Sequence, residues 1–282
     1  METVIWTFVV LGGTGLVFGF MLSFASLKLK PKEDPMLEEL RDALPGANCG
    51  GCGAAGCGQY AEALFAKQAD VTACPVGGDP LVKKLASILG TEAEATVRKV
   101  AFVKCLGGKS RTKSNYTYIG MQDCFAMAKL AGGGARTCTH GCVGGGTCVV
   151  FCVFGAIEMV DGLAVVDRDK CVSCTVCVKS CPRGLIVMVE DSLGVHVGCN
   201  STAAAKTVRE CCEVGCIGCK LCQKKCPADA IHMEGSLART KYESCTNCMS
   251  CVAACPRNCI AAAEPQQAGD SPLADFSQRP SR

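Results

Sequence analysis

The sequence predicts an α+β protein: an N-terminal transmembrane helix, a small helical domain rich in cysteine, and two larger cysteine modules with short strand-helix insertions. Three observations predict it. Residues 4–27 carry no charge, 26 of the 282 residues are cysteine, and one cysteine spacing occurs three times beyond residue 170.

The first unit is residues 1–31. Val4 to Leu27 reads VIWTFVVLGGTGLVFGFMLSFASL. As a helix it spans ~36 Å, enough to cross a bilayer core of ~30 Å with some tilt. Lys28, Lys30 and Lys32 follow at once, while the N-terminal side holds only Glu2 beside the amino group. The positive-inside rule then predicts a single pass through the cell membrane, with the N-terminus outside and everything after Lys28 in the cytoplasm. A signal peptide fits less well, because no basic segment precedes the apolar run and the run is long. Gly12, Gly13, Gly15 and Gly19 would let another helix pack closely. A helix that touches only lipid is the plainer alternative.

The second unit, 32–97, opens with an amphipathic helix over 33–44. Cys49-x2-Cys52-x4-Cys57-x16-Cys74-Pro75 follows, with glycines at 50, 51, 53, 56 and 58. Glycine lets the backbone wrap tightly and aim N–H groups at sulfur. Helices are expected at 59–69 and 80–89. Four thiols fit one cluster with nothing left over.

The repeated spacing defines the rest. Cys171-x2-Cys174-x2-Cys177-x3-Cys181-Pro182 recurs as Cys216-x2-Cys219-x2-Cys222-x3-Cys226-Pro227 and as Cys245-x2-Cys248-x2-Cys251-x3-Cys255-Pro256. This is the bacterial [4Fe–4S] run, in which three thiolates close on one cluster and the fourth reaches a neighbouring one. Zinc explains isolated C-x2-C pairs but does not call for three in a row followed by Cys-Pro. Disulfides suit other spacings, and cluster chemistry implies a reducing, cytosolic side. Cys152 to Cys181 spans 29 positions, as does Cys226 to Cys255, so each pair of runs reads as one two-cluster ferredoxin-like module, over 98–190 and 191–263. Strands are expected at 98–106 and 194–199. Helices are expected near 123–130 and after Ser201, which is placed as a cap. Short strands are expected at Ala156-Ile157, Leu185-Ile186, Ala230-Ile231 and Cys259-Ile260. The polar stretch 264–282 reads as a disordered tail.

A fourth run, Cys138-x3-Cys142-x5-Cys148-x3-Cys152, is irregular. Aligned on Cys216 to Cys222, the missing middle ligand falls at Gly145, and Cys138 falls opposite Cys212. Cys138 is read as the replacement. The sets are then Cys49, Cys52, Cys57, Cys74; Cys138, Cys142, Cys148, Cys181; Cys171, Cys174, Cys177, Cys152; Cys216, Cys219, Cys222, Cys255; and Cys245, Cys248, Cys251, Cys226. That makes five clusters. Cys105, Cys124, Cys199, Cys211, Cys212 and Cys259 remain. The plain reading makes them buried thiols. The sharper one draws a sixth cluster from Cys105, Cys124, Cys199 and Cys212 or Cys211, which stand at matching points of the larger repeat. Cys259 reads as packing.

The anchor, Pro45-x2-Asn48-Cys49-Gly50-x-Cys52-Gly53-x2-Gly56-Cys57-x2-Tyr60-Ala61, and the modules behind it resemble the B subunit of the Rnf electron-transport complex, over nearly the whole chain apart from the tail. The resemblance implies an electron-relay subunit of an ion-translocating oxidoreductase. Its partners would be reduced ferredoxin, other membrane subunits, and lipid through 4–27. It implies electron flow from ferredoxin into a membrane complex, and some relatives run in reverse.

The residues themselves support a wire and no complete active site. Gly12-Gly13-Thr14-Gly15 lies in the membrane run and Gly144-Gly145-Gly146 in a cysteine loop, so neither is a dinucleotide fingerprint. His140, His196 and His232 show no paired spacing. No nucleic-acid partner is expected, and the net charge of +3 says little. Two basic groups, Arg98 to Lys113 and Lys206 to Lys225, could steer an acidic donor or be ordinary solvated surface. The rivals are an iron–sulfur subunit of another membrane redox complex, and a cluster-bearing scaffold or sensor.

Overall fold

The computed structural model describes residues 2–28, 34–92 and 97–262. The tail expected at 264–282, and Lys30 and Lys32, lie outside the described residues. Helix α1 (Glu2–Lys28) is continuous. Its stretch Phe8–Ala25 has a mean hydropathy of 2.0, and no part of that stretch is buried against the rest of the chain. A helix apolar all round needs a core or a lipid phase to cover it. This is the one helix among the described residues long and apolar enough to cross a membrane.

Helices α2 (Pro35–Ala43), α3 (Cys57–Phe65) and α4 (Gly78–Leu89) build the small cysteine domain. Asp34 caps α2 by accepting the Met36 N–H at 3.0 Å, with Pro35 in the first turn. The helices close over Leu40, Leu64 and Leu85, all essentially fully buried. Each such side chain contributes ~1.5–3 kcal/mol of burial. Tyr60, also buried, donates to the Asp70 carbonyl at 2.6 Å and so ties α3 to the loop that leads to Cys74.

The larger half begins with β1 (Lys99–Val103), α5 (Cys124–Ala128), α6 (Thr147–Val150), the hairpin β2 (Ile157–Val160) and β3 (Leu163–Val166), α7 (Val176–Ser180) and β4 (Ile186–Glu190). β1 pairs antiparallel with β4, Val103 opposite Ile186. The series then repeats as β5 (Val195–Val197), α8 (Ala205–Cys211), α9 (Leu221–Lys225), the hairpin β6 (Ile231–Glu234) and β7 (Leu237–Thr240), α10 (Ser250–Ala253) and β8 (Ile260–Ala262). Here β5 pairs with β8. Each repeat therefore holds one long-range strand pair and one hairpin. The cores mix cysteines with Ile157, Leu163 and Ile186 in the first repeat, and with Ile231, Leu237 and Ile260 in the second.

The four short strands after the cysteine runs do form, starting at Ile157, Ile186, Ile231 and Ile260. Their hairpin partners β3 and β7 are additions to the expected elements. The β2–β3 turn, Asp161-Gly162, has φ of 50° and 66°, the positive pair that a two-residue hairpin needs. Ser201 does not cap α8. It accepts the Ala203 N–H at 3.3 Å, a local turn that satisfies the hydroxyl and delays the helix to Ala205.

Candidate iron–sulfur sites

The four cysteine loops share one backbone. The second and fourth residues after the first cysteine are left-handed in each: Gly144 and Gly146, Ser173 and Thr175, Gly218 and Lys220, Asn247 and Met249. Alternation of this kind curls successive N–H groups toward a common centre and makes an anion-binding concavity. Thr175, β-branched at φ 62°, is unfavourable there in isolation. The irregular loop keeps the same curl with glycines and lacks only the middle thiol. Beyond the fourth cysteine of a run the chain turns again, and an N–H returns to sulfur. Ala156 donates to Cys152 at 3.3 Å, Leu185 to Cys181 at 3.4 Å and Ala230 to Cys226 at 3.2 Å. Donors aimed at sulfur stabilise thiolate and set cluster potential.

Cys152, Cys171, Cys174 and Cys177 line one cavity, and Cys216, Cys219, Cys222 and Cys255 line another. Burial, then the proximity of Cys226, Cys245 and Cys248, pushes the Cys251 thiol up to about 11. Those four form a further group. In the small domain, burial and the nearby Cys52 and Cys57 raise the Cys74 thiol, while N–H groups of Gly77 and Val76 oppose the shift. No three His, Cys, Asp or Glu side chains among the described residues close tightly enough for a single metal ion. The thiols line open spaces instead. The donor set, all sulfur with converging N–H groups, fits a four-iron cluster.

At the irregular loop a further thiol, Cys124, stands beside the expected group. A methyl on Gly145 would meet the Cys124 nitrogen at 3.0 Å and the Met127 sulfur at 2.8 Å, so α5 occupies the space of the absent side chain. Burial, followed by Cys142, Cys124, Cys181 and Cys177, pushes Cys148 up to about 12. Cys124 is held there by its neighbours. Its N–H donates to Thr147 Oγ1 at 2.7 Å, and that hydroxyl donates to Asp123 Oδ1 at 3.0 Å. Cys138 lines a cavity with Cys105 and Cys142, and a methyl on Gly141 would touch both Cys138 and Cys105 sulfurs at 3.4 Å. The match of Cys138 with Cys212 in the repeat carries no sign that α5 returns to Gly145.

Cys259, expected as packing, is buried with its sulfur 3.5 Å from that of Cys255. His140 bonds Thr139 and Thr202 at 3.2 and 3.3 Å, across the two repeats.

Paired cysteine loops with this backbone, packed under short hairpins, define an iron–sulfur electron-transfer protein with ferredoxin-type domains. Three family descriptions match the chain: a putative Fe-S cluster family over 44–76, a 4Fe-4S dicluster domain over 212–256 and a 4Fe-4S binding domain over 163–186. The chain is 43% identical over 252 residues to the B subunit of the Na(+)-translocating ferredoxin:NAD(+) oxidoreductase complex of Acetobacterium woodii, covering 89% of this chain and 75% of that protein. It is 43% identical to the B subunit of the ion-translocating oxidoreductase complex of Methanosarcina acetivorans, covering 89% and 95%. It is 38% identical to the proton-translocating counterpart of Clostridium ljungdahlii, covering 93% of each. The chain belongs to the family of B subunits of Rnf-type ion-translocating oxidoreductase complexes.

Proposed function

We propose that this chain is the membrane-anchored electron relay of such a complex, taking electrons from reduced ferredoxin and passing them to membrane subunits. Helix α1 is the anchor, with the cysteine domains on the cytoplasmic side. Clusters held by these thiols supply one-electron steps at low potential. The chain's own residues fix where each cluster sits, shield it with Ile, Leu and Val, and tune it with N–H groups.

The observation that carries this reading is the continuity of the cysteine groups. Gly51 of the small domain packs on Cys174, since a methyl there would lie 3.0 Å from the Cys174 carbonyl oxygen and 3.0 Å from the Pro75 ring. Cys177 borders Cys148. The small domain's set is thus adjacent to the set of Cys152, Cys171, Cys174 and Cys177. That set is adjacent to Cys142, Cys148 and Cys181, for which Cys124 supplies the fourth thiolate. The coupled ion and the final acceptor belong to partners.

The test is anaerobic stopped-flow mixing of the full chain in detergent, clusters intact, with chemically reduced ferredoxin. Fast bleaching of the cluster absorbance that slows with salt supports the relay. Clusters that dithionite reduces and ferredoxin does not would assign the chain a different donor.

A further inference from the structure

Where the two repeats meet lies a further cavity. None of the repeated motifs accounts for it. Its lining includes Cys105, Cys138, Cys199 and Cys212. A methyl on Gly107 would lie 3.3 Å from the Cys212 sulfur and 3.9 Å from that of Cys105, and one on Gly141 would lie 3.4 Å from Cys105 and Cys138. Cys105 and Cys199 are among the chain's buried thiols.

The arrangement is twofold in its details. Lys104 donates its N–H to the Leu185 carbonyl at 2.8 Å, and Gly198 donates to the Cys259 carbonyl at 2.8 Å; each leads directly to a cavity cysteine. The Cys142 N–H donates to Cys105 Sγ at 3.4 Å, and the Cys216 N–H donates to Cys199 Sγ at 3.4 Å. Arg183 donates to the Cys138 carbonyl at 3.3 Å, and Arg257, at the matching position after Pro, donates to the Cys212 carbonyl at 2.5 Å. Two thiols from each repeat are thus delivered by equivalent hydrogen bonds. Two more thiols line the cavity: Cys142, which is placed in the flanking set, and Cys211, which has Thr137 as its counterpart and so stands outside this symmetry.

We infer that Cys105, Cys138, Cys199 and Cys212 hold a sixth [4Fe–4S] cluster, shared between the two repeats. Like the motif sites it has four cysteines around an open space and N–H groups on sulfur, and Arg136 stands in its lining. It differs from the sequence expectation by one residue, since Cys138 takes the place given to Cys124. Its location gives it a role. Cys142 and Cys216, whose N–H groups touch it, are themselves ligands of the flanking clusters. The shared cluster therefore joins the two ferredoxin-type modules into one electron path. This role as a bridge rests on the relay reading; the metal site itself does not.

Iron and acid-labile sulfide are counted on the full chain, purified anaerobically in detergent. The wild type is expected to hold six clusters, and a count of five would overturn the site. Cys105→Ala and Cys138→Ala should each lose one-sixth of the iron, and the two together no more than either alone. Cys124→Ala with Cys138→Ala should lose one-third. Cys211→Ala should lose none. A Cys105/Cys138 double variant missing one-third would return Cys138 to the irregular loop and sink the assignment. The wild-type count needs no variant to fold. Six clusters in a chain that ferredoxin fails to reduce would leave the site standing and remove the relay.

Discussion

Gly51 meets the backbone of Cys174 so closely that a single added carbon would lie 3.0 Å from its carbonyl oxygen. Gly51 adjoins Cys52 in the chain and Cys174 is itself a cluster cysteine, so this contact sets how near the small domain's cluster comes to the first module. Gly51→Val adds branches that the rigid Cys174 backbone and the Pro75 ring leave no room for. The variant is expected to keep its iron, because Cys49, Cys52, Cys57 and Cys74 are untouched. The magnetic coupling between the small domain's cluster and its neighbour should weaken. EPR of the dithionite-reduced chain checks this. Coupling unchanged in Gly51→Val would show that the contact does not set the spacing.

Cys259 is buried with its sulfur 3.5 Å from that of Cys255, and the closeness of Cys216 and Cys255, with burial, holds its thiol well above the usual range. With Cys255 on a cluster, Cys259 is the S–H donor of that pair. At the same position the other runs carry Ala156, Leu185 and Ala230. Cys259→Ala should leave iron content unchanged and lower the potential of the cluster held by Cys216, Cys219, Cys222 and Cys255. Losing a donor to coordinated sulfur destabilises the reduced, more negative state. A redox titration followed by EPR reads the shift. An unmoved potential would return Cys259 to a packing role.

The regular runs were legible because a cluster demands fixed ligand spacing, and the strand following each run announced itself by a buried Ile. The approach of Cys124 to Cys148 and its neighbours was not legible. Cys124 reaches them through α5, an insertion whose return depends on Asp123, Thr147 and the bare space over Gly145. Cys138 and Cys212 match in the repeat, yet spacing alone does not say which side of the loop each thiol faces. Long-range contacts without a local pattern in the sequence hold each, Arg183 on the Cys138 carbonyl and Arg257 on that of Cys212.

His196 is fully buried on β5, 4.6 Å from the Phe102 ring of the first repeat. Its Nε2 lies 2.9 Å from the Leu193 carbonyl oxygen and must carry the proton; Nδ1 then accepts from the Tyr242 hydroxyl at 3.2 Å. Burial, with a contribution from Arg168, lowers its pKa from 6.5 to about 4. The unfolded chain therefore gains a proton before the folded one does. The stabilising effect is complete above pH 6.5 and is lost as pH falls toward 4, on the order of 3 kcal/mol at the limit. His196→Gln can keep both hydrogen bonds but cannot titrate. Denaturant unfolding of the cluster-free chain at about pH 7 and about pH 5 should show a steeper loss for wild type than for the variant. Equal losses would assign the acid sensitivity to other groups.

Cys124 supplies the test of the irregular loop. If it completes the set with Cys142, Cys148 and Cys181, Cys124→Ala should remove one cluster and leave the shared site between the repeats intact. Filling Gly145 instead should not rescue it. A Cys placed at Gly145 would restore the regular spacing, but its β-carbon would lie 3.0 Å from the Cys124 nitrogen and 2.8 Å from the Met127 sulfur. Gly145→Cys combined with Cys124→Ala is therefore expected to recover iron poorly while α5 stays in place. Adding Met127→Ala clears the flexible side of that clash and should recover more. Iron and sulfide counts across the three variants read the outcome. Full recovery in Gly145→Cys with Cys124→Ala would mean that α5 yields readily. An unchanged count in Cys124→Ala alone would mean that another group, Cys138 first, ligates the cluster.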